Sequence, residues 1–189
     1  MKRLIIAGVD EVGRGCLAGP VVSAAVIFKQ GINLKILKDS KKISYKKREE
    51  ISEHIRHNSY YAIGLATVEE ILNLNILQAS LLSMKRAVNQ LKIKPNLILV
   101  DGNFAPKGLK NCKTIINGDE KIKVISAASI IAKDFRDKLM IKLSEKFSNY
   151  AWQTNFGYGT KAHLDGLKKF GITSHHRKSF KPIHKILSK

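Results

Sequence analysis

Short, almost wholly apolar runs that stop at a carboxylate or a glycine turn constrain this chain most. "RLIIAGV" (3–9), "PVVSAAVIF" (20–28) and "PNLILV" (95–100) are apolar enough to be central strands of a sheet. "SYYAIGLATV" (59–68) and "CKTIIN" (112–117) read as two further strands. Between them the period changes. "SYKKREEISEHIRHN" (44–58) is a charged surface helix begun by Ser44 as N-cap. In "NILQASLLSMKRAVNQL" (75–91), Leu77, Leu81, Met84, Val88 and Leu91 recur every three to four residues, with Asn75 and Gln78 resembling a capping box. Residues 122–148 form a long helix whose small stripe, Ala127, Ala128 and Ala132, lets it lie close against a sheet. Strands interleaved with helices predict an α/β layered fold with a mixed sheet. Neither an internal repeat nor a Pro/Ser/Gly-rich linker is present, and 189 residues fit one domain of ordinary size. The expected division is an α/β core over 1–149 and a basic, glycine-punctuated, histidine-bearing helical appendage over 150–189.

Where the strands end is where chemistry is expected. Asp10 and Glu11 follow the first strand, Asp101 follows "LILV", and Asp119 follows "TIIN". Ligands usually bind at strand carboxyl ends in sheets that carry helices. If the first and fourth strands are neighbours, Asp10 and Asp101 meet across one spacing of about 4.8 Å. Four oxygen donors with no histidine or cysteine beside them suit a hard cation, Mg²⁺ or Mn²⁺. Two such ions would activate water and stabilise the leaving oxygen in a displacement at phosphorus. Taken singly, Asp101–Gly102 and Gly118–Asp119 read as turn formers. The adjacent pair Asp10–Glu11 does not, because turn chemistry has no use for two neighbouring carboxylates.

Charge supplies the partner. With 34 Lys+Arg against 15 Asp+Glu, the formal net charge is +19, which calls for a polyanion, nucleic acid before an anionic membrane surface. Cys16 and Cys112 form no CxxC, and no others exist to complete a zinc site. Signal peptide and bilayer-spanning run are both missing, so a cytoplasmic protein with reduced thiols is expected.

Seven stretches, in order, carry a family resemblance: "GVDEVGRG", "LKDSKKIS", "LNILQASLLSMKRAV", "LVDGN", "NGDEKIKVISAASIIAKDFRD", "GYGT" and "HHRKSF". Over essentially its whole length the chain resembles ribonuclease HII, the bacterial type 2 ribonuclease H family. The resemblance implies an RNase H-like α/β core with a C-terminal helical extension. It implies metal-dependent endonucleolytic cleavage of RNA in RNA–DNA hybrids and at ribonucleotides embedded in duplex DNA. The implied metal site is Asp10, Glu11, Asp101 and Asp119, with Asp134 and Asp137 on the long helix set aside. Gly13, Arg14 and Gly15 are implied to place their backbone against the 2′-hydroxyl and nearby phosphates, glycine permitting the approach because no Cβ intervenes. Tyr158 matches the family tyrosine that stacks on the sugar after the ribonucleotide, although Gly159 stands where relatives usually have proline. Lys41 and Lys42 resemble phosphate contacts; as bare lysines they more often form a solvated surface. His175 and His176 are expected to pack the appendage, and Lys133 to face the cleft or support a carboxylate. The implied enzyme acts as a monomer. A 3′–5′ exonuclease with four carboxylates and a non-catalytic nucleic-acid-binding protein remain as alternatives.

Overall fold

The computed structural model describes residues 4–37 and 44–188. Five strands build one mixed sheet in the order β3–β2–β1–β4–β5: β1 (Ile6–Val12), β2 (Val21–Phe28), β3 (Ser59–Ala66), β4 (Leu97–Asp101) and β5 (Cys112–Ile115). The first three form an antiparallel meander, whereas β1–β4 and β4–β5 pair in parallel. β2, β3 and β5 lie within the runs expected from the sequence, whereas β1 continues three residues past Val9 and β4 one past Val100, so Asp10, Glu11 and Asp101 sit inside the ends of their strands and do not follow them.

Helices α1 (Tyr45–His57), α2 (Val68–Asn89) and α4 (Lys123–Lys146) cover both faces, and α3 (Gly118–Lys121) is a single turn before α4. One face buries Ala7, Val9, Ala25, Ile98 and Val100 of the sheet with Met84, Ala87 and Val88 of α2. The other buries Ala24 and Val26 with Ile51 and Ile55 of α1 and Ala127, Ala128 and Ile131 of α4. Burial at roughly 25 cal/mol per Å² of apolar surface makes these two layers the main source of stability. The small stripe of α4 performs as expected, and Gly8 completes it: a Cβ there would lie 2.3 Å from the Val124 carbonyl carbon. Only glycine lets the helix come this close to β1.

Helix α2 starts earlier than its apolar repeat indicates. Thr67 caps it, with Glu70 closing a reciprocal capping box, so 67–68 leave the expected strand. The run then kinks at Asn75 (φ 68°), whose Oδ1 accepts from the N–H groups of Leu77 and Gln78. Asn75 is thus an N-cap in the middle of a longer helical run.

Beyond α4, helices α5 (Trp152–Asn155), α6 (Lys161–Phe170) and α7 (Lys181–Leu187) follow a short 3₁₀ turn at Ser148–Tyr150. Tyr150, Trp152, Leu167 and Ile183 share a core with Leu17 and Ala18 of the loop after β1 and with Met140 of α4. This arrangement presses the C-terminal elements against the "GRG" loop.

Candidate active site

Strand register decides the centre of the site. Because β1 and β4 are parallel neighbours with Val9 opposite Val100, the next pair along is Asp10 and Asp101. Side chains alternate faces along a strand, so Asp10 lies on the same side as Gly8. The approach permitted by Gly8 brings Ser129, one turn further along α4, within hydrogen-bonding reach of Asp10. Asp10 is buried at 5% exposure, and its Oδ1 accepts from the Glu11 N–H at 2.7 Å. Burial pushes its carboxyl well above the ordinary range; Glu11 and Asp101 add to the rise, and the Ser129 bond opposes it. Glu11 is also raised, chiefly by burial and with Asp101 adding, against the counter-effect of Arg14. Arg14 Nη1 donates to Glu11 Oε1 at 3.1 Å, while buried Glu11 Oε2 has no hydrogen-bond partner.

Asp101 Oδ1 accepts from the Gly118 N–H at 2.6 Å, tying the end of β4 to the turn that carries Asp119. Asp119 and Glu11 line one cleft of about 190 Å³ with Arg48, Ser129 and Lys133. All four sequence-predicted carboxylates thus border the same end of the sheet. Among the described residues, no three His, Cys, Asp or Glu side chains converge closely enough to form a finished metal cage. The donor chemistry nevertheless fits a hard divalent cation. It is all oxygen, burial and neighbouring carboxylates make two carboxyls resist ionisation, and one buried carboxylate oxygen is unpartnered.

The two set-aside aspartates have other work. Asp137 accepts from Arg48 Nη2 at 2.9 Å and Lys133 Nζ at 2.6 Å, and Asp134 from Ser52 and Arg56. Both are buried and paired, tying α1 to α4. Lys133 does both things expected of it, supporting a carboxylate and bordering the cleft.

A second wall stands beside the carboxylates. Gly13 has φ +91°, and a Cβ there would lie 2.2 Å from Arg136 Nε, so only glycine fits. At Gly15 the reason is different: the nearest atom to an added Cβ is Tyr158 Cε1, 4.0 Å away. Gly15 borders open space next to a tyrosine that is 40% exposed. Two arginines missed in the sequence hold this wall. Arg136 is fully buried and donates to the carbonyls of Pro20, Ala18 and Phe156. Arg177, 1% exposed, donates to those of Gly19 and Arg14. Arginine is normally read as surface charge, so only its place within "AKDFRD" and "HHRKSF" could have signalled either role. Ser129 gave no sequence signal beyond its place in the small-residue stripe. His176 is buried in the appendage and His175 contacts the Phe147 and Trp152 rings, which is packing, as expected. Lys41 and Lys42 lie outside the described residues.

Comparison with known proteins agrees with this architecture. The ribonuclease HII family model matches residues 7–183. Ribonuclease HII of Pelagibacter ubique is 59% identical over 97% of this chain and 99% of its own length, and that of Coxiella burnetii is 50% identical over 98% and 92%. Among solved structures, ribonuclease H2 of Pyrococcus horikoshii superposes with a TM-score of 0.81 at 29% identity, covering 98% of each chain. A carboxylate-ended mixed sheet with a GRG loop, matched over nearly its whole length, identifies the chain as a member of the ribonuclease HII family, the endonucleolytic type 2 ribonucleases H.

Proposed function

We propose that the protein cuts the RNA strand of RNA–DNA hybrids and cuts 5′ of ribonucleotides embedded in duplex DNA, leaving 3′-hydroxyl and 5′-phosphate ends. The observation that carries this is adjacency. Carboxyls held towards their neutral forms by burial and by one another (Asp10, Glu11) lie one turn from a loop whose Gly15 faces open space beside Tyr158. Asp10, Glu11, Asp101 and Asp119 would hold two Mg²⁺ or Mn²⁺ ions, which when bound supply a nucleophilic water and stabilise the departing oxygen.

The chain's own residues do the rest. Asp10 is oriented by the Glu11 amide, which donates to its Oδ1, and by Ser129 beside it. Glu11 is partly neutralised by Arg14, whose backbone belongs to the loop that would meet the 2′-hydroxyl. The loop's carbonyls are occupied by Arg136 and Arg177, which leaves its remaining polar groups for the substrate. Tyr158 then closes over the sugar on the 3′ side. The +19 net charge supports binding to a duplex polyanion. We take the enzyme to act as a cytoplasmic monomer, with 1–149 as catalytic core and 150–189 as a substrate-facing extension. No helix among the described residues is long and apolar enough to cross a membrane.

The test is a DNA duplex carrying one ribonucleotide, incubated with and without EDTA, with product ends mapped. Internal cleavage 5′ of the ribonucleotide that EDTA abolishes is expected. Digestion from ends, or cleavage indifferent to chelation, would refute the reading.

A further inference from the structure

His163 and His176 are both fully buried, and their Nε2 atoms lie 3.1 Å apart. Two ring nitrogens at that distance share a single proton, since two protonated nitrogens would repel. The neighbours fix which one carries it. The Thr173 N–H donates to His176 Nδ1 at 2.8 Å, so that nitrogen is bare and the ring's proton sits on Nε2, aimed at His163. Trp152 Nε1–H also donates to His163 Nε2, at 3.1 Å. His163 Nε2 is therefore an acceptor, and its proton is on Nδ1, 2.9 Å from the Tyr158 carbonyl oxygen. Every donor in this chain of contacts meets an acceptor when both rings are neutral. Burial favours that state, lowering His163 and taking His176 down to about 4.

The chain of contacts ends on the backbone of Tyr158, the exposed aromatic beside Gly15. Its surroundings are the joints between the appendage and the GRG loop. Leu17 N–H donates to the Gly157 carbonyl, Gly19 N–H to that of His175, and Ala18 bridges to His176. A core histidine pair needs only packing; this one also dictates a tautomer, and that tautomer grips residue 158.

We propose that His163, its proton held on Nδ1 by Trp152 and His176, is a positioning residue that grips the Tyr158 carbonyl and so aims the Tyr158 ring at the ribonucleotide junction beside Gly15. The inference rests on the reading of Tyr158 given above. The experiment compares His163→Asn with His163→Gln on two substrates, a duplex with one ribonucleotide and a long RNA–DNA hybrid. Asparagine offers an amide N–H near the position of Nδ1, whereas glutamine reaches the position of Nε2 and leaves the Tyr158 carbonyl only its bond from the Thr160 N–H. Both lose the ring, so a packing role alone makes them lose stability and activity in parallel.

With one hydrogen bond lost, His163→Gln should lower the single-ribonucleotide to hybrid ratio of kcat/KM about fivefold, and His163→Asn should keep the wild-type ratio. An unchanged ratio in both variants, or equal losses, overturns the proposal. A measurement on the unmodified protein stands if neither variant folds: long-range ¹⁵N–¹H NMR should find His163 protonated at Nδ1 and His176 at Nε2, and the opposite tautomer at His163 overturns it. Tyr158→Ala separates the layers. If that variant leaves the ratio unchanged, the assignment of Tyr158 has failed; if it lowers the ratio and His163→Gln does not, the positioning role alone has failed.

Discussion

The two walls of the cleft are held by opposite means. The carboxylate wall (Asp10, Glu11 and Asp101) gathers like charge, and burial first, then the neighbouring carboxylates, push Asp10 and Glu11 towards their neutral forms. The proposed recognition wall, the GRG loop and Tyr158, is fixed by two buried arginines and the neutral His163, which bond to backbone carbonyls. One wall stores a cost of burial and like charge that a cation, on the reading proposed above, would relieve. The other is a scaffold whose polar groups are matched to backbone, Arg177 Nη2 excepted. Function needs both: charge that is not neutralised in advance, and geometry that does not move.

The largest expected effect separates them on the carboxylate side. Asp10→Asn keeps the shape and removes one negative oxygen, so cleavage should be abolished while metal-free hybrid binding survives or tightens. The same change removes repulsion, so the metal-free melting temperature should rise. Turnover near wild type would break the metal-site assignment, and a lower melting temperature would show that the charge was already neutralised in the fold. On the other wall, Arg136→Met should do the reverse. It leaves the carbonyls of Ala18, Pro20 and Phe156 without their donor, which at about 1–3 kcal/mol for each buried unsatisfied group is severe destabilisation. Thermal melts of both variants check the contrast.

Next in size is Tyr158→Ala. Losing a stacking contact of about 1–3 kcal/mol lowers activity roughly tenfold to a hundredfold on the single-ribonucleotide duplex. A long hybrid offers many registers and should lose less, with EDTA sensitivity unchanged. Equal losses on both substrates would make the tyrosine part of the scaffold and not a reader of the junction.

Acid should pull the walls apart. Asp10 and Glu11 are raised in the fold, so their repulsion costs stability at neutral pH and is relieved as pH falls and they protonate. His163 and His176 are lowered, so the stability they contribute is complete above about 6.5 and is lost towards the His176 value of about 4. Between those pH values the C-terminal amides near His176 should lose hydrogen-exchange protection before those of β1. Uniform loss across both regions would mean the two walls unfold as one unit.

How much of this the sequence reveals follows the same division. The strands were legible because apolar runs have no other use at that length, but Asp10 meets Asp101 only if β1 and β4 are neighbours, and that pairing between distant segments is read from the fold. The early start of α2 was hidden, since Thr67 and Val68 continue a β-branched run and only Glu70 marks the cap. The scaffold of the recognition wall was illegible. Arg136, Arg177 and His163 are residue types that pattern reading assigns to the surface; the carbonyls bound by the two arginines lie 20 to 163 residues away, and His163 meets the His176 ring and the Tyr158 carbonyl of the adjoining loop. Long-range backbone acceptors leave no trace in local sequence.

The smallest expected effect tests how finished the recognition wall is. Gly159 stands where proline would narrow the backbone of the Tyr158 loop, and its φ is not in the left-handed region. The turn-closing bond runs from Thr160 N–H to the Tyr158 carbonyl, so removing the amide at 159 leaves it intact. A Cβ at 159 would lie 3.0 Å from Leu17 Cδ1, the end of a side chain that can turn by a few tenths of an ångström. Restricting the unfolded chain adds about 0.4–1 kcal/mol where the native backbone accepts proline. For a chain of this size that is a rise in melting temperature of about 1–4 °C. Junction preference should hold or sharpen slightly, because His163 already fixes the neighbouring carbonyl and leaves proline little freedom to remove. A fall in melting temperature would mean that Leu17 cannot move. A large gain in junction preference would mean that the histidine grip is looser than the 2.9 Å contact implies.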